Sequence, residues 1–181
     1  MQWLCACAIV IAATTELVAA PASATTPDEF FVHPEVLCKA LEQYGIHPNP
    51  WAPIGLGPHP TSTPFDCEYR GAPEDRNHTT VFRVSGDYAQ RADILSLAVS
   101  VGAPSEWAAA QQEFLRLVAG LFNAIDKPEP AGLIRAINAR RYYLKRSPYG
   151  VLWFNFIAPM EPSQRRTFWF RLSQGSVPVN R

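Results

Sequence analysis

Residues 141–172 read RYYLKRSPYGVLWFNFIAPMEPSQRRTFWFRL, and their hydrophobic side chains recur at every second position. That is the period of a strand, not of a helix. Three strands are predicted, Arg141–Arg146, Val151–Ala158 and Arg166–Leu172, with Ser147-Pro148-Tyr149-Gly150 as the first turn. Taken literally, the alternation puts Tyr142, Leu144, Leu152, Phe154, Phe156, Phe168 and Phe170 on a core side. The opposite side then carries Arg141, Tyr143, Lys145, Trp153, Asn155, Thr167, Trp169 and Arg171. Two indoles, a phenol and several cationic or amide groups on one sheet face describe a stacking and anion-binding platform. The competing expectation is that the proline-rich segment or the C-terminal tail covers Trp153 and Trp169, or that a bulge reverses the facing.

Upstream the period changes. Trp107, Ala110, Phe114, Leu117, Val118, Leu121 and Ile125 follow helical spacing, with Ser105 as the expected N-cap and Asp126-Lys127-Pro128 as the stop. A shorter helix is expected over 132–139, burying Leu133, Ile134 and Ile137. Before the long helix, Phe65–Arg70, Thr80–Ser85 and Ile94–Val101 read as three more strands, the last two a hairpin around Gly86-Asp87. A first helix opens at Pro34, buries Val36, Leu37, Leu41 and Tyr44, and ends at Gly45. Residues 48–64 hold six prolines, which excludes a regular helix or a central strand and predicts an ordered loop or an extended crossing. The order helix, three strands, helix pair, three strands predicts the α+β class: one antiparallel sheet of about six strands with the helices packed on one face. A structural duplication of the two halves is conceivable from this order, but no sequence repeat supports it and both cysteines beyond residue 24 lie in the first half.

The N-terminal 24 residues read as a secretory signal, with an apolar run over Trp3–Ala13 and the small-residue site Ala22-Ser23-Ala24. No lysine or arginine precedes the run. Retention as a membrane anchor is disfavoured by Glu16, which would sit near mid-span. Removal of 1–24 leaves a single α+β domain over 25–181, with 175–181 as a tail, and two cysteines, Cys38 and Cys67. In an oxidising compartment, secreted or periplasmic, a lone pair most simply forms one disulfide.

At 48% hydrophobic and 18% charged, the composition excludes a disordered chain. The formal net charge is zero, which on its face argues against a polyanion binder and predicts no nucleic-acid partner. The neutrality is a cancellation, however. Residues 25–129 carry seven basic and fourteen acidic groups, whereas residues 130–181 carry nine basic and one acidic. If the segments face apart, the C-terminal strands present a cationic surface.

No motif of catalysis stands out. There is no Gly-x-Ser-x-Gly elbow and no Ser-x-x-Lys. His33, His47 and His59 each precede proline, at separations that match no zinc site, so neither a metal nor a cofactor is expected. Asp66 and Glu68 share a strand face and, with His78, are the candidate groups for an envelope hydrolase. Arg70 in line with them offers the plainer reading of a solvated ion pair. The leading expectation is a small, exported, non-enzymatic binding or accessory protein of the cell envelope. Its partner would be an anionic or glycan ligand or an acidic protein surface, held by Arg141, Tyr143, Lys145, Trp153, Asn155, Trp169 and Arg171.

Overall fold

A computed structural model describes residues 31–55, 63–71, 78–158 and 165–174. The expected signal segment 1–24, the middle of the proline-rich loop and the tail 175–181 lie outside the described residues. In chain order the elements are α1 (Pro34–Cys38), a 3₁₀ turn (Glu42–Tyr44), β1 (Ala52–Pro53), β2 (Phe65–Gly71), β3 (His78–Gly86) and β4 (Ile94–Val101). A 3₁₀ turn (Pro104–Glu106) then leads into α2 (Trp107–Ala124), followed by α3 (Leu133–Asn138), β5 (Tyr143–Ser147), β6 (Gly150–Ile157) and β7 (Arg166–Ser173).

The strands form one antiparallel sheet in the order β1-β2-β3-β4-β7-β6-β5, so the α+β architecture is as expected, with seven strands where about six were predicted. The additional strand is β1, two residues within the proline-rich segment. Pro53 is tolerated there because β1 is an edge strand and owes hydrogen bonds on one side only. Two three-stranded meanders, each preceded by a helix, meet through their last strands, β4 and β7. The central pairs Leu95↔Leu172, Leu97↔Phe170 and Val99↔Phe168 are wholly buried. The α2–α3 crossover carries the chain to the far edge at β5, from which β6 and β7 fold back to the centre.

The helices cover one face. The α2 stripe lies on the central strands, with the Phe114 ring 5.7 Å from Phe154 and 5.6 Å from Phe168, and Phe122 edge-on to Phe170 at 6.0 Å. Each fully buried phenylalanine contributes roughly 1.5–3 kcal/mol relative to exposure. At Gly120 the Tyr44 ring crosses the helix so closely that an added Cβ would stand 2.3 Å from it. Arg116 also lies over that ring, its guanidinium carbon 5.0 Å from the centroid.

Three local expectations are corrected. The first helix is one five-residue turn plus a 3₁₀ turn, which leaves Val36 62% exposed. So short a segment has no helical stability of its own. Its position is set by Leu37, Leu41 and the Cys38–Cys67 disulfide, whose Cα atoms are 6.1 Å apart. Ser105 falls inside the 3₁₀ turn, and α2 begins at Trp107 without a side-chain cap. Tyr142 and Leu144, expected in the core, are 57% and 48% exposed. The hairpin register pairs Leu144 with Trp153 and Tyr143 with Phe154. Cross-strand partners share a face, so the wholly buried Phe154 draws Tyr143 to the helix side and turns Leu144 outward.

Candidate functional site

The sheet face opposite the helices follows from the register. One cross-strand row reads Glu68, Arg83, Ser96, Arg171, Trp153, Leu144; the next reads Arg70, Val81, Ala98, Trp169, Asn155. Trp153 and Trp169 are neighbours from adjacent strands, ring centroids 4.9 Å apart and nearly perpendicular, and Tyr142 stands edge-on to Trp153 at 6.5 Å. Both indoles are partly exposed. The described part of the proline-rich segment lies at the β1–β2 edge, with Trp51 stacked on Phe65 and donating to the Ala89 carbonyl at 2.8 Å. Three strands therefore separate it from β7.

The two ends of this face differ in electrostatics. At the β2–β3 end, Arg83 reaches Asp66 at 2.9 Å and Glu68 at 3.8 Å, and Arg70 donates to Glu68 at 3.2 Å. Charge is balanced there. Beside the tryptophans, Arg171 has no carboxylate within 4.0 Å among the described residues, and its Nε is shut off from solvent without an acceptor. Burial pushes the Arg171 guanidinium below its ordinary pKa. More widely, the ion pairs of the described residues use Arg70, Arg83, Arg91 and Arg116, all from the acidic part of the chain. The cations after residue 129 are left without carboxylate partners among the described residues.

Of the seven residues expected on the platform, Trp153, Asn155, Trp169 and Arg171 share the face opposite the helices. Tyr143 and Lys145 stand opposite Phe154 and Leu152, on the helix side, which corrects the alternation reading of β5. The Tyr143 hydroxyl donates to the Ala131 carbonyl at 3.3 Å, and burial raises its pKa. Arg141 precedes β5, is exposed, and its backbone N–H closes on Ala136. Sequence reasoning missed Tyr142. The signal for it was the Pro148-Tyr149 turn, which pairs Ser147 with Gly150 and so sets the phase of β5.

The hydrolase candidates do not converge. Asp66 and Glu68 lie on the face opposite the helices in the ion pairs just described, whereas His78 is buried on the helix-covered face opposite Val101. Among the described residues no group of three histidines, cysteines or carboxylates is placed to hold a metal ion, and no helix is long and apolar enough to cross a membrane. Two clefts of about 340 and 350 Å³ flank the β1–β2 edge. One is lined by Arg83, Asp87, Tyr88 and Arg91 among others, the second by Glu35, Glu42 and Trp51.

Fold and site together define a disulfide-bonded α+β protein that buries one face of an antiparallel sheet under helices and leaves an aromatic, cationic patch on the other. The chain belongs to a family of unknown function, DUF6030, matched over residues 8–178. Neither a curated protein nor a solved structure matches it.

Proposed function

We propose that this chain is an exported, non-enzymatic binding protein of the cell envelope whose bare sheet face holds an acidic glycan. The observation that carries the reading is the pair of partly exposed indoles, 4.9 Å apart, beside a guanidinium with no acceptor for its Nε among the described residues. Indole faces suit the C–H surface of a sugar ring, and a guanidinium donates two parallel hydrogen bonds to a carboxylate. A neutral sugar leaves Arg171 unused, and a simple anion leaves the indoles unused. A sugar bearing a carboxylate uses both. Export is supported by the disulfide, since such bonds persist in oxidising compartments, and by the apolar run and Ala22-Ser23-Ala24 near the N-terminus.

The test is titration of the protein with oligogalacturonate and with neutral maltooligosaccharide, followed by tryptophan fluorescence and calorimetry. The acidic sugar binds, and Trp153→Ala and Trp169→Ala each weaken it by about tenfold or more, a loss of at least ~1.4 kcal/mol. Arg171→Gln removes the preference for the acidic sugar. Absence of binding by both sugars overturns the proposal, as does binding confined to anionic lipid vesicles or to an acidic protein.

A further inference from the structure

A second group of cations lies on the other side of the sheet, where α2 begins. Trp107, the first residue of α2, packs edge-on against Phe156 with centroids 6.4 Å apart. Two guanidiniums lie over the same indole, the carbon of Arg166 at 3.8 Å from the ring centroid and that of Arg140 at 5.4 Å. They arrive from separate elements: Arg166 opens β7 opposite Val101, and Arg140 follows α3. Arg140 takes φ 52° as the left-handed residue that closes α3, its N–H returning to the Ile137 carbonyl at 3.1 Å and the next N–H, of Arg141, to the Ala136 carbonyl at 2.9 Å. The Arg140 Nε is engaged by Gln111 Oε1 at 3.0 Å. Otherwise the cluster consists of donors. Among the described residues neither guanidinium has a carboxylate within 4.0 Å, Arg166 has no hydrogen-bond acceptor, and Trp107 Nε1, shut off from solvent, has none either.

Cation–π attraction holds each guanidinium to the ring, but it gathers two like charges at one indole with no carboxylate partner for either among the described residues. An anion bound beside them offsets that repulsion. We propose that Arg140 and Arg166, gathered over the Trp107 ring, form a phosphate-binding site, separate from the aromatic patch on the sheet face opposite the helices. A carboxylate offers two coplanar oxygens, enough for one guanidinium fork. A phosphate group offers three free oxygens in a tetrahedral array and close to two negative charges, which match two guanidinium forks arriving from different elements. The phosphate belongs to a small phosphorylated molecule or to a lipid headgroup; the chemistry at the cluster is the same.

The experiment uses the full chain and inorganic phosphate at low ionic strength, with acetate as the control anion. The Trp107 indole N–H resonance, assigned through Trp107→Phe, and calorimetry are the readouts. Phosphate shifts that resonance and binds about tenfold or more tightly than acetate, and Arg166→Gln and Arg140→Gln each weaken it by a similar factor. Arg140 is exposed, so its variant keeps the test open if Arg166→Gln does not fold. Binding of free phosphate assigns a small-molecule source. Binding only to vesicles carrying phosphatidate, and not to phosphatidylcholine alone, assigns a headgroup. An unshifted indole resonance with no heat and no vesicle binding, equal affinity for acetate, or unchanged affinity in both arginine variants overturns the proposal.

Discussion

Reduction of the Cys38–Cys67 bridge tests how the N-terminal segment is held. The bridge joins residues 29 apart in sequence and ties α1 to β2. Opening a loop of that length restores unfolded-state entropy worth about 3 to 4 kcal/mol on the chain-entropy relation. With a urea dependence of roughly 2 kcal/mol per molar, the unfolding midpoint of the reduced protein falls by about 2 M relative to the oxidised one. The loss has a location as well as a size. α1 is five residues long and is anchored otherwise by Leu37 and, just after it, Leu41, whereas β6, β7 and α2 share the buried phenylalanine cluster. Hydrogen exchange after reduction therefore speeds up in residues 34–46 and 65–71 and is little changed in β6, β7 and α2. Oxidised and reduced wild type are compared, so no side chain other than the thiols changes. A midpoint shift under about 0.5 M refutes the entropic account. Loss of protection first in β6 and β7 refutes the claim that the bridge acts locally.

Two further predictions concern the core and its titration. Gly120→Ala gains helix propensity of about 1 kcal/mol but drives a methyl group into the Tyr44 ring, for a net destabilisation of roughly 1–2 kcal/mol; chemical denaturation measures it, and a neutral or stabilised variant, or no relief in the Gly120→Ala/Tyr44→Ala double mutant, counts against the packing described. The Tyr149 hydroxyl donates to the Pro128 carbonyl at 2.9 Å, and burial above all, with Tyr143 nearby, raises its pKa above the ordinary 10.0 despite an opposing hydrogen bond from Ser147. A raised folded-state pKa stabilises fully below the unfolded value and loses that contribution as pH climbs through the folded one. Stability thus declines above pH 10.0, and Tyr149→Phe shows a shallower decline; equal slopes in urea midpoint against pH contradict this.

The readable parts of the sequence were those where one short-range pattern decides the outcome. The seven-residue stripe of α2 is helical because its spacing is, and Leu152, Phe154, Phe168 and Phe170 face the core because strand alternation and hydrophobicity agree. The disulfide was expected because reading residues 1–24 as a signal leaves Cys38 and Cys67 as a lone pair. Alternation states only that neighbours face opposite ways, however, and not which way the first one faces. In β6 and β7 four large apolar residues settle that phase. In β5, Tyr142, Tyr143 and Leu144 offer apolar character on both parities, so local preference is balanced and the register against Phe154 decides.

The candidate sites show the same division more sharply. From the amino-acid order alone came the opposed charges of the two segments and the tryptophans in adjacent strands of one meander. Whether the basic residues after position 129 meet the acidic residues before it depended on strand order. Placing β7 rather than β5 beside β4 puts Arg171 at the centre of the sheet, while the acids of β2 are taken by Arg83 and Arg70. The meeting of Arg140, Arg166 and Trp107 has no sequence signature, because a helix start, a helix end and a strand start are brought together only when α2 and α3 close over the sheet. Periodicity is a property of neighbours a few residues apart. Convergence is a property of the long-range packing, and that packing left two sets of cations without counter-charges among the described residues.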